Sequence, residues 1–281
     1  MKKMISILSA VILLLSTISK SRADCTFHTA GSCYTWADSG NCGTGCTYTY
    51  DNGTLTIKAS GDNATINRGK FSGRYYDGDV FPVDVDNIII DGYFASINQH
   101  AVQDLNAIVS GKDGKLILQT NGWNAFGENT LKGEILVSQD MNKIDEGTFF
   151  DVTIDGTLII PDNIKSIEAM AFYGLRLAEG AKIYCAIDDC AEKILDSCKQ
   201  TTYNKNLSID RCKQNLEPLL SNPTLFEQAP EGCSYWSADG CKKCSNKNFK
   251  FDGDYCYRVR YTPAEAAEVA GETNTIFLYY K

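Results

Sequence analysis

The chain has 281 residues, a formal net charge of −8, two histidines and twelve cysteines. An acidic chain has no electrostatic means of neutralising phosphates, which argues against nucleic acid and anionic membrane surfaces as partners. The cysteine number is typical of an exported protein, because thiols oxidise to disulfides outside the cytosol.

Residues 1–23 have the layout of a secretory signal peptide. Lys2 and Lys3 form a positive segment, residues 5–15 are almost uninterruptedly apolar, and Ala23 ends a stretch suited to cleavage. Cleavage there removes four positive charges and takes the net charge from −8 to −12. We therefore expect a secreted, extracellular or cell-surface protein, with a periplasmic location as an alternative and no membrane-spanning segment after cleavage. The other interpretation of residues 1–23 is an uncleaved anchor.

The cysteines fall into three groups, and all of them are candidates for disulfide bonds. They are Cys25, Cys33, Cys42 and Cys46, then Cys185, Cys190, Cys198 and Cys212, then Cys233, Cys241, Cys244 and Cys256. The first group predicts an N-terminal Cys-rich cap over residues 24–50. The long segment between the first two groups has no cysteine, so ordinary burial must hold it.

Residues 51–184 contain an internal repeat, which predicts a solenoid. Short apolar runs recur at 55–57, 88–90, 116–118, 135–137, 158–160 and 181–183, most of them after a turn that contains glycine. The later intervals are 19 to 24 residues and the earlier ones about 30. A turn, a short strand and a longer return segment make one rung, and stacked rungs share a core. An ordinary β-sandwich of short strands is the alternative.

The return segments share a second pattern. Ile144 and Phe149 are five residues apart, as are Ile167 and Phe172, and residues 123–126 form a degenerate copy. We expect both members of each pair to point into the solenoid. Residues 158–175, with their strand, proline, spaced isoleucines and Ala-Phe, resemble a Treponema-type, or BspA-like, leucine-rich repeat. The resemblance implies an exported, surface-exposed bacterial protein that binds host proteins or other cells.

After the repeats, residues 185–222 are predicted to form a Cys-containing helical cap or linker, because apolar residues between Ile187 and Cys198 recur at helical spacing. Residues 223–281 are predicted to form a C-terminal Cys-rich module with a terminal helix from Thr262 and a strand over 276–280. The fold class is thus a β-rich solenoid of parallel strands, with irregular or short-helical return segments, small disulfide-rich caps and a C-terminal α/β element.

The two Cys-rich modules each place a tryptophan three residues after a cysteine, at Trp36 and Trp236. We expect these modules to cover the ends of the solenoid and each tryptophan to pack against its own disulfide. Stacking of a sugar on an exposed tryptophan is the alternative. Cys241 and Cys244 enclose two lysines, a spacing also found in metal and redox sites, but structural disulfides are favoured in an exported chain.

No catalytic constellation is evident. His28 and His100 lie in no known catalytic motif, and the abundant carboxylates are uninformative in an acidic chain. The cluster of Asp77, Asp79, Asp84 and Asp86 lacks the spacing of a calcium loop. We predict no catalytic, metal-binding or cofactor-binding residues and no cofactor. Asn52, Asn63 and Asn206 stand in sequons that matter only in a glycosylating host.

The sequence favours an exported, non-enzymatic binding protein that uses its repeat sheet to bind a protein or glycan on another cell or in the matrix, for adhesion or host interaction. The alternatives are a secreted carbohydrate-active enzyme on a β-rich scaffold and a structural envelope protein.

Overall fold

The main feature of the computed structural model is a β-solenoid. The structure describes residues 37–73, 84–120, 122–201, 205–245, 249–251 and 256–258. Its main sheet has ten strands, of which seven successive ones pair in parallel. The expected fold class, a leucine-rich-repeat-like solenoid of parallel strands with disulfide bonds near the C-terminal region, is confirmed.

The structure contains eighteen described strands and two described helices. The strands are β1 (Ser39–Gly43), β2 (Cys46–Asp51), β3 (Thr54–Ala59), β4 (Thr65–Ile66), β5 (Asn87–Asp91), β6 (Ser96–Ile97), β7 (Ile108–Leu118), β8 (Thr130–Val137), β9 (Lys143–Ile144), β10 (Thr153–Ile160), β11 (Ser166–Ile167), β12 (Arg176–Leu177), β13 (Lys182–Cys185), β14 (Phe226–Gln228), β15 (Cys233–Ser237), β16 (Gly240–Cys244), β17 (Phe249–Phe251) and β18 (Cys256–Arg258). The helices are α1 (Cys190–Asp196) and α2 (Ile209–Leu220).

The main sheet begins with an antiparallel meander and continues as parallel rungs. Strands β1, β2 and β3 pair antiparallel, and the order then runs β3, β5, β7, β8, β10, β13, β14, with β12 also beside β10. Their inward-facing side chains form columns across the strands. One column is completely buried and consists of Leu55, Ile88, Val109, Leu131 and Ile154. Such columns supply the shared core that a single rung cannot form.

Strand β7 corrects the predicted spacing of the rungs. Ile88 pairs with Val109, only 21 residues on, whereas the apolar run beginning at Leu116 pairs with Ile135 of the following rung. The register shifts between the two halves of β7, because residues 110–115 of β7 lie opposite only residues 132–134 of β8. The predicted interval of about 30 residues between the second and third runs is therefore wrong. The 28 residues from Ile88 to Leu116 combine one rung of 21 residues with seven residues along β7, three of which are the extra residues of the bulge.

A column of large side chains fills the return side of the solenoid. Phe149 and Phe172 are fully buried and stack with ring centroids 4.9 Å apart, and Ile144 and Ile167 are also buried, as expected. The structure extends this column toward the N-terminal rungs. Its members are Phe71, Val102, Phe126, Phe149 and Phe172.

Each return segment turns at a residue with positive φ, three positions after the buried isoleucine where one is present. These residues are Gly69, His100, Asn124, Gly147 and Met170, with φ between 53° and 64°. Glycine adopts this conformation without strain, whereas the other three side chains are held there by the surrounding rungs. At Gly147 glycine is also required by space, since a Cβ atom would collide with the Trp123 indole.

The ends of the solenoid differ from the predicted boundaries. The parallel sheet continues past residue 184, because β14 pairs with β13 through Ile183 and Phe226. At the other end, the boundary at residue 50 lies within β2, which continues directly into the first hairpin. The expected helix after the last long rung is present as α1, and Ser208 caps a second helix, α2, by accepting the Arg211 amide at 3.2 Å.

Five disulfide bonds lie within the described residues. They join Cys42–Cys46, Cys185–Cys190, Cys198–Cys212, Cys233–Cys241 and Cys244–Cys256. Several predictions concern residues outside the described ranges. They are the signal peptide predicted over residues 1–23, the helix predicted from Thr262 and the strand predicted over 276–280. Cys25, Cys33 and Trp36 also lie outside these ranges. Within the described ranges, neither helix has the length and apolar character needed to span a bilayer.

Candidate functional site on the outer face of the main sheet

The outer face of the main sheet divides into an open part and a covered part. We define the open face as the outward-facing residues Thr54, Thr56, Asn87, Ile89, Ile108, Ser110, Thr130, Lys132, Thr153 and Asp155. All of them are exposed or half-buried, because side chains alternate across a strand and these point away from the core. Ile108 is 39 % exposed and is the exposed large apolar side chain of the described residues.

The open face is a mostly neutral polar strip around a small aliphatic centre. Ile89 and Ile108 lie diagonally across neighbouring strands, since Ile108 pairs with Asn87 and Ile89 pairs with Ser110. Hydroxyl and amide side chains surround them. Lys132 reaches Asp155 at 3.4 Å, so the charges on this strip are paired across the strands. The strip thus offers hydrogen-bond donors and acceptors around a contact point for an apolar group.

The covered part is apolar and is already occupied by the chain itself. We define the covered column as Leu136, Ile159 and Tyr184, which lie side by side on the outer face and are 9 %, 0 % and 8 % exposed. They are buried because the β15–β16 hairpin lies over them and packs Tyr235 and Trp236 against them. The outer surface of this sheet therefore binds polypeptide within the molecule.

Two carboxylates on the sheet anchor the hairpin. The Tyr235 hydroxyl donates to Glu134 Oε1 at 3.5 Å, and the Trp236 indole donates to Glu227 Oε1 at 3.1 Å. Each carboxylate also pairs with a sheet lysine, Lys115 at 2.7 Å for Glu134 and Lys182 at 2.6 Å for Glu227. Hydrogen bonds to charged acceptors are stronger than neutral ones, so these contacts fix the hairpin's orientation over the apolar column.

These contacts also change the acidity of the groups that make them. Burial raises the pKa of Tyr235 above its usual 10.0, and the neighbouring Glu134 carboxylate adds to the effect. The hydrogen bond with Glu134 raises the pKa of Lys115, and the one with Glu227 raises that of Lys182. The hairpin is therefore docked with tyrosine neutral and both lysines charged.

The position of the C-terminal Cys-rich module differs from the sequence prediction. We expected it to cover the end of the solenoid, but its hairpin covers the outer face instead. The reason is that the covered column is an apolar strip on a sheet surface, which is unfavourable when left in water. Trp236 does pack against its own disulfide, as predicted, and it contacts the covered column as well.

The opposite side of the solenoid contains a polar cavity of about 390 Å³. Its lining includes Asp145, Glu146 and Glu168, three carboxylates from successive rungs that sequence spacing alone did not bring together. Lys143 pairs with Asp145 at 2.6 Å, and this hydrogen bond raises the pKa of the lysine. One carboxylate oxygen of Glu146 is buried without a hydrogen-bond partner among the described residues.

The histidines and the aspartate cluster considered in the sequence as candidate site residues either make packing and hydrogen-bond contacts or lie outside the described residues. His100 is 2 % exposed, contacts Gln103 and packs edge-on against Trp123 with centroids 5.2 Å apart. His28, Asp77 and Asp79 lie outside the described residues. Asp84 accepts the Tyr50 hydroxyl through its backbone carbonyl at 2.8 Å.

The described ranges contain no group of three or more acidic, histidine or cysteine side chains arranged to hold a metal ion. The sequon residues Asn52, Asn63 and Asn206 are all exposed.

Comparison with known proteins identifies the repeats. A family model with the description BspA type Leucine rich repeat region matches residues 84–178 and 119–215, in six copies. No curated protein and no solved structure matches the chain.

Proposed function

The repeats of this chain belong to the BspA-type leucine-rich-repeat family, and from that premise we propose that the chain is an exported, non-enzymatic binding protein whose open face takes a protein ligand. The observation that carries the proposal is the division of the outer sheet surface. Its apolar part binds a hairpin of the same chain, and its other part stays accessible. A sheet surface that already holds one polypeptide segment is suited to hold another beside it.

The composition of the open face favours a protein over a glycan. Within its described residues no aromatic ring is exposed on which a sugar would stack. Its aliphatic centre and hydroxyl rim match the small apolar core and polar rim of a protein interface. The five strands of the open face, β3, β5, β7, β8 and β10, together span about 20 Å at the usual strand separation. This width suits a protein loop or strand.

A binding measurement with matched variants tests the proposal. Purified chain is assayed by biolayer interferometry against a panel of purified matrix and cell-surface proteins, and in parallel on a glycan array. Ile108→Asp places a charge at the centre of the open face, and Asn215→Asp places the same charge on the exposed side of α2. We expect a protein ligand whose affinity falls about tenfold or more with Ile108→Asp, in line with the loss of a central interface residue, and stays unchanged with Asn215→Asp.

The other outcomes separate the alternatives. Glycan binding that is sensitive to Ile108→Asp, with no protein bound, would replace the protein ligand by a carbohydrate. Binding that neither variant changes would remove the open face as the site. Turnover of a carbohydrate substrate that Glu146→Gln abolishes would make the chain an enzyme acting at the polar cavity.

The proposed location is outside the cell, at the surface or secreted. Five disulfides in the described residues support it, because they persist in oxidising compartments. Protease treatment of intact host cells, followed by mass spectrometry, should remove this chain's peptides if it is surface-exposed. Protection until the envelope is opened would indicate a periplasmic or structural envelope role instead.

A further inference from the structure

The C-terminal module brings four cysteines into one cluster. Its disulfides join Cys233 to Cys241 and Cys244 to Cys256, and the sulfurs of Cys241 and Cys256 lie only 3.4 Å apart. Each of these two sulfurs belongs to a different disulfide. A sulfur of one bond therefore lies in contact with a sulfur of the other.

The remaining two cysteines are also neighbours. Cys233 and Cys244 are direct cross-strand partners in the antiparallel β15–β16 pair. The Ser245 amide donates to the Gly232 carbonyl at 2.9 Å, which makes Cys233 and Cys244 a cross-strand pair without backbone hydrogen bonds to each other. Cα atoms at such positions are about 4.5 Å apart, within the reach of a disulfide. A second connectivity, Cys233–Cys244 with Cys241–Cys256, is thus within reach of the same fold.

We propose that this cluster is a thiol–disulfide exchange site, at which an incoming thiolate converts one connectivity into the other. The thiolate attacks the Cys244 sulfur, forms a mixed disulfide there and expels the Cys256 thiolate. Cys256 attacks Cys241 and expels the Cys233 thiolate. Cys233 then attacks the mixed disulfide at Cys244 and releases the original thiolate. Two protein disulfides are present before and after, so the thiolate is a catalyst and no net oxidant or reductant is needed.

The surroundings of the cluster favour this order of attack. Cys244 is half-buried, whereas Cys233, Cys241 and Cys256 are 2 %, 2 % and 9 % exposed. The incoming thiolate therefore meets Cys244 first. The exposed Lys242 and Lys243 lie between the two cysteines of β16, and positive charge nearby stabilises thiolates.

The exchange site is connected to the outer face of the sheet. Cys241 is the cross-strand partner of Trp236, which holds the hairpin on the covered column. A change of the disulfide partner of Cys241 therefore alters the cross-link within the β15–β16 pair, at the position opposite Trp236. Both connectivities keep β15 and β16 within a cross-linked module.

Tryptic mapping distinguishes the two connectivities because lysines separate Cys244 and Cys256 from each other and from the other two cysteines. Cys233 and Cys241 share the tryptic peptide 214–242, while Cys244 lies in 244–247 and Cys256 in 251–258. The connectivity of the structure gives 214–242 closed on itself and a separate linked pair of the two shorter peptides. The exchanged connectivity links all three peptides into one species. Full-length protein is incubated with or without reduced glutathione, blocked with N-ethylmaleimide, digested without reduction and analysed by mass spectrometry.

We expect the three-peptide species to rise about tenfold or more with glutathione, while Cys185–Cys190 in the same digest stays closed within peptide 183–193. Glutathione adducts on Cys244 without the three-peptide species would overturn the exchange. The absence of both adducts and three-peptide species would overturn attack at this cluster.

A variant supplies an internal thiolate and avoids the added reagent. In Cys233→Ser, Cys241 is freed beside Cys256, so the pair Cys241–Cys256 should form spontaneously and leave Cys244 as the free thiol. Mapping should then show peptide 214–242 linked to 251–258. Retention of the Cys244–Cys256 bond in this variant would contradict the proposal.

Discussion

Replacing Ile159 by alanine should release the β15–β16 hairpin without unfolding the solenoid. Ile159 points outward from β10 and is fully buried only because the hairpin covers it. The neighbouring Ile160 is equally buried but faces the solenoid core. The two residues therefore form a matched pair, with the same side chain and the same exposure on opposite faces of one strand.

The expected magnitude follows from the carbons removed. Isoleucine to alanine deletes three buried carbons, about 0.8 kcal/mol each, so hairpin docking should weaken by about 2.4 kcal/mol and the open population should rise about fiftyfold. At Ile160 the rigid core leaves a cavity, and the free energy of unfolding should fall by about 2 to 5 kcal/mol. If Ile159 lay on an uncovered face, its replacement would change stability by about 0.5 kcal/mol or less.

Hydrogen exchange and urea unfolding together measure these effects. The Asp162 amide donates to the Ser234 carbonyl of the hairpin at 3.2 Å, so its exchange rate reports hairpin opening. Ile159→Ala should raise that rate about fiftyfold, in proportion to the open population, with little change in the urea midpoint of the solenoid. Ile160→Ala should lower the midpoint. Unchanged exchange at Asp162 in Ile159→Ala would refute the docking of the hairpin on this face.

Three further predictions concern pH, a buried amide and reduction. Because burial in the docked state raises the pKa of Tyr235 above its usual 10.0, the docked state binds more protons than the open state, and docking should weaken as pH rises above about 10. Tyr235→Phe should remove this pH dependence, measured by the exchange rate of the Asp162 amide corrected for its intrinsic rate. Asn129→Ala should lower the free energy of unfolding, measured in urea, by about 3 kcal/mol, because the buried Asn129 side chain accepts the Ala107 amide at 2.9 Å and donates to backbone carbonyls. A loss of less than about 1 kcal/mol would contradict these hydrogen bonds. Reduction should loosen both Cys-rich ends first and leave residues 55–183 partly folded, which hydrogen exchange in reductant measures; uniform loss of protection would count against it.

Part of the candidate site was predictable and part was not. The repeat period and the inward Ile and Phe positions followed from the sequence because each rung repeats the same local burial pattern. The early rungs were harder to recognise, since Val102 occupies the position of the later phenylalanines and the bulge in β7 hides a short interval. The pairing of Ile66 with Phe71 at the same five-residue spacing was a signal that would have found the first return segment.

The sequence by itself determined that the chain repeats, which residues of the later rungs fill the core, and that the long segment between Cys46 and Cys185 has no cysteine. The continuous apolar run of Leu158, Ile159 and Ile160 is typical of a strand covered on both faces, so the sequence carried a signal of the cover that the sequence prediction did not use. Only the tertiary structure decided what covers the outer face. The cover comes from residues 233–244, far along the chain, and its position depends on the disulfides, on Tyr235 and Trp236, and on the carboxylates that receive them. Local periodicity records that a side chain is buried, but the partner that buries it is set by contacts distant in sequence.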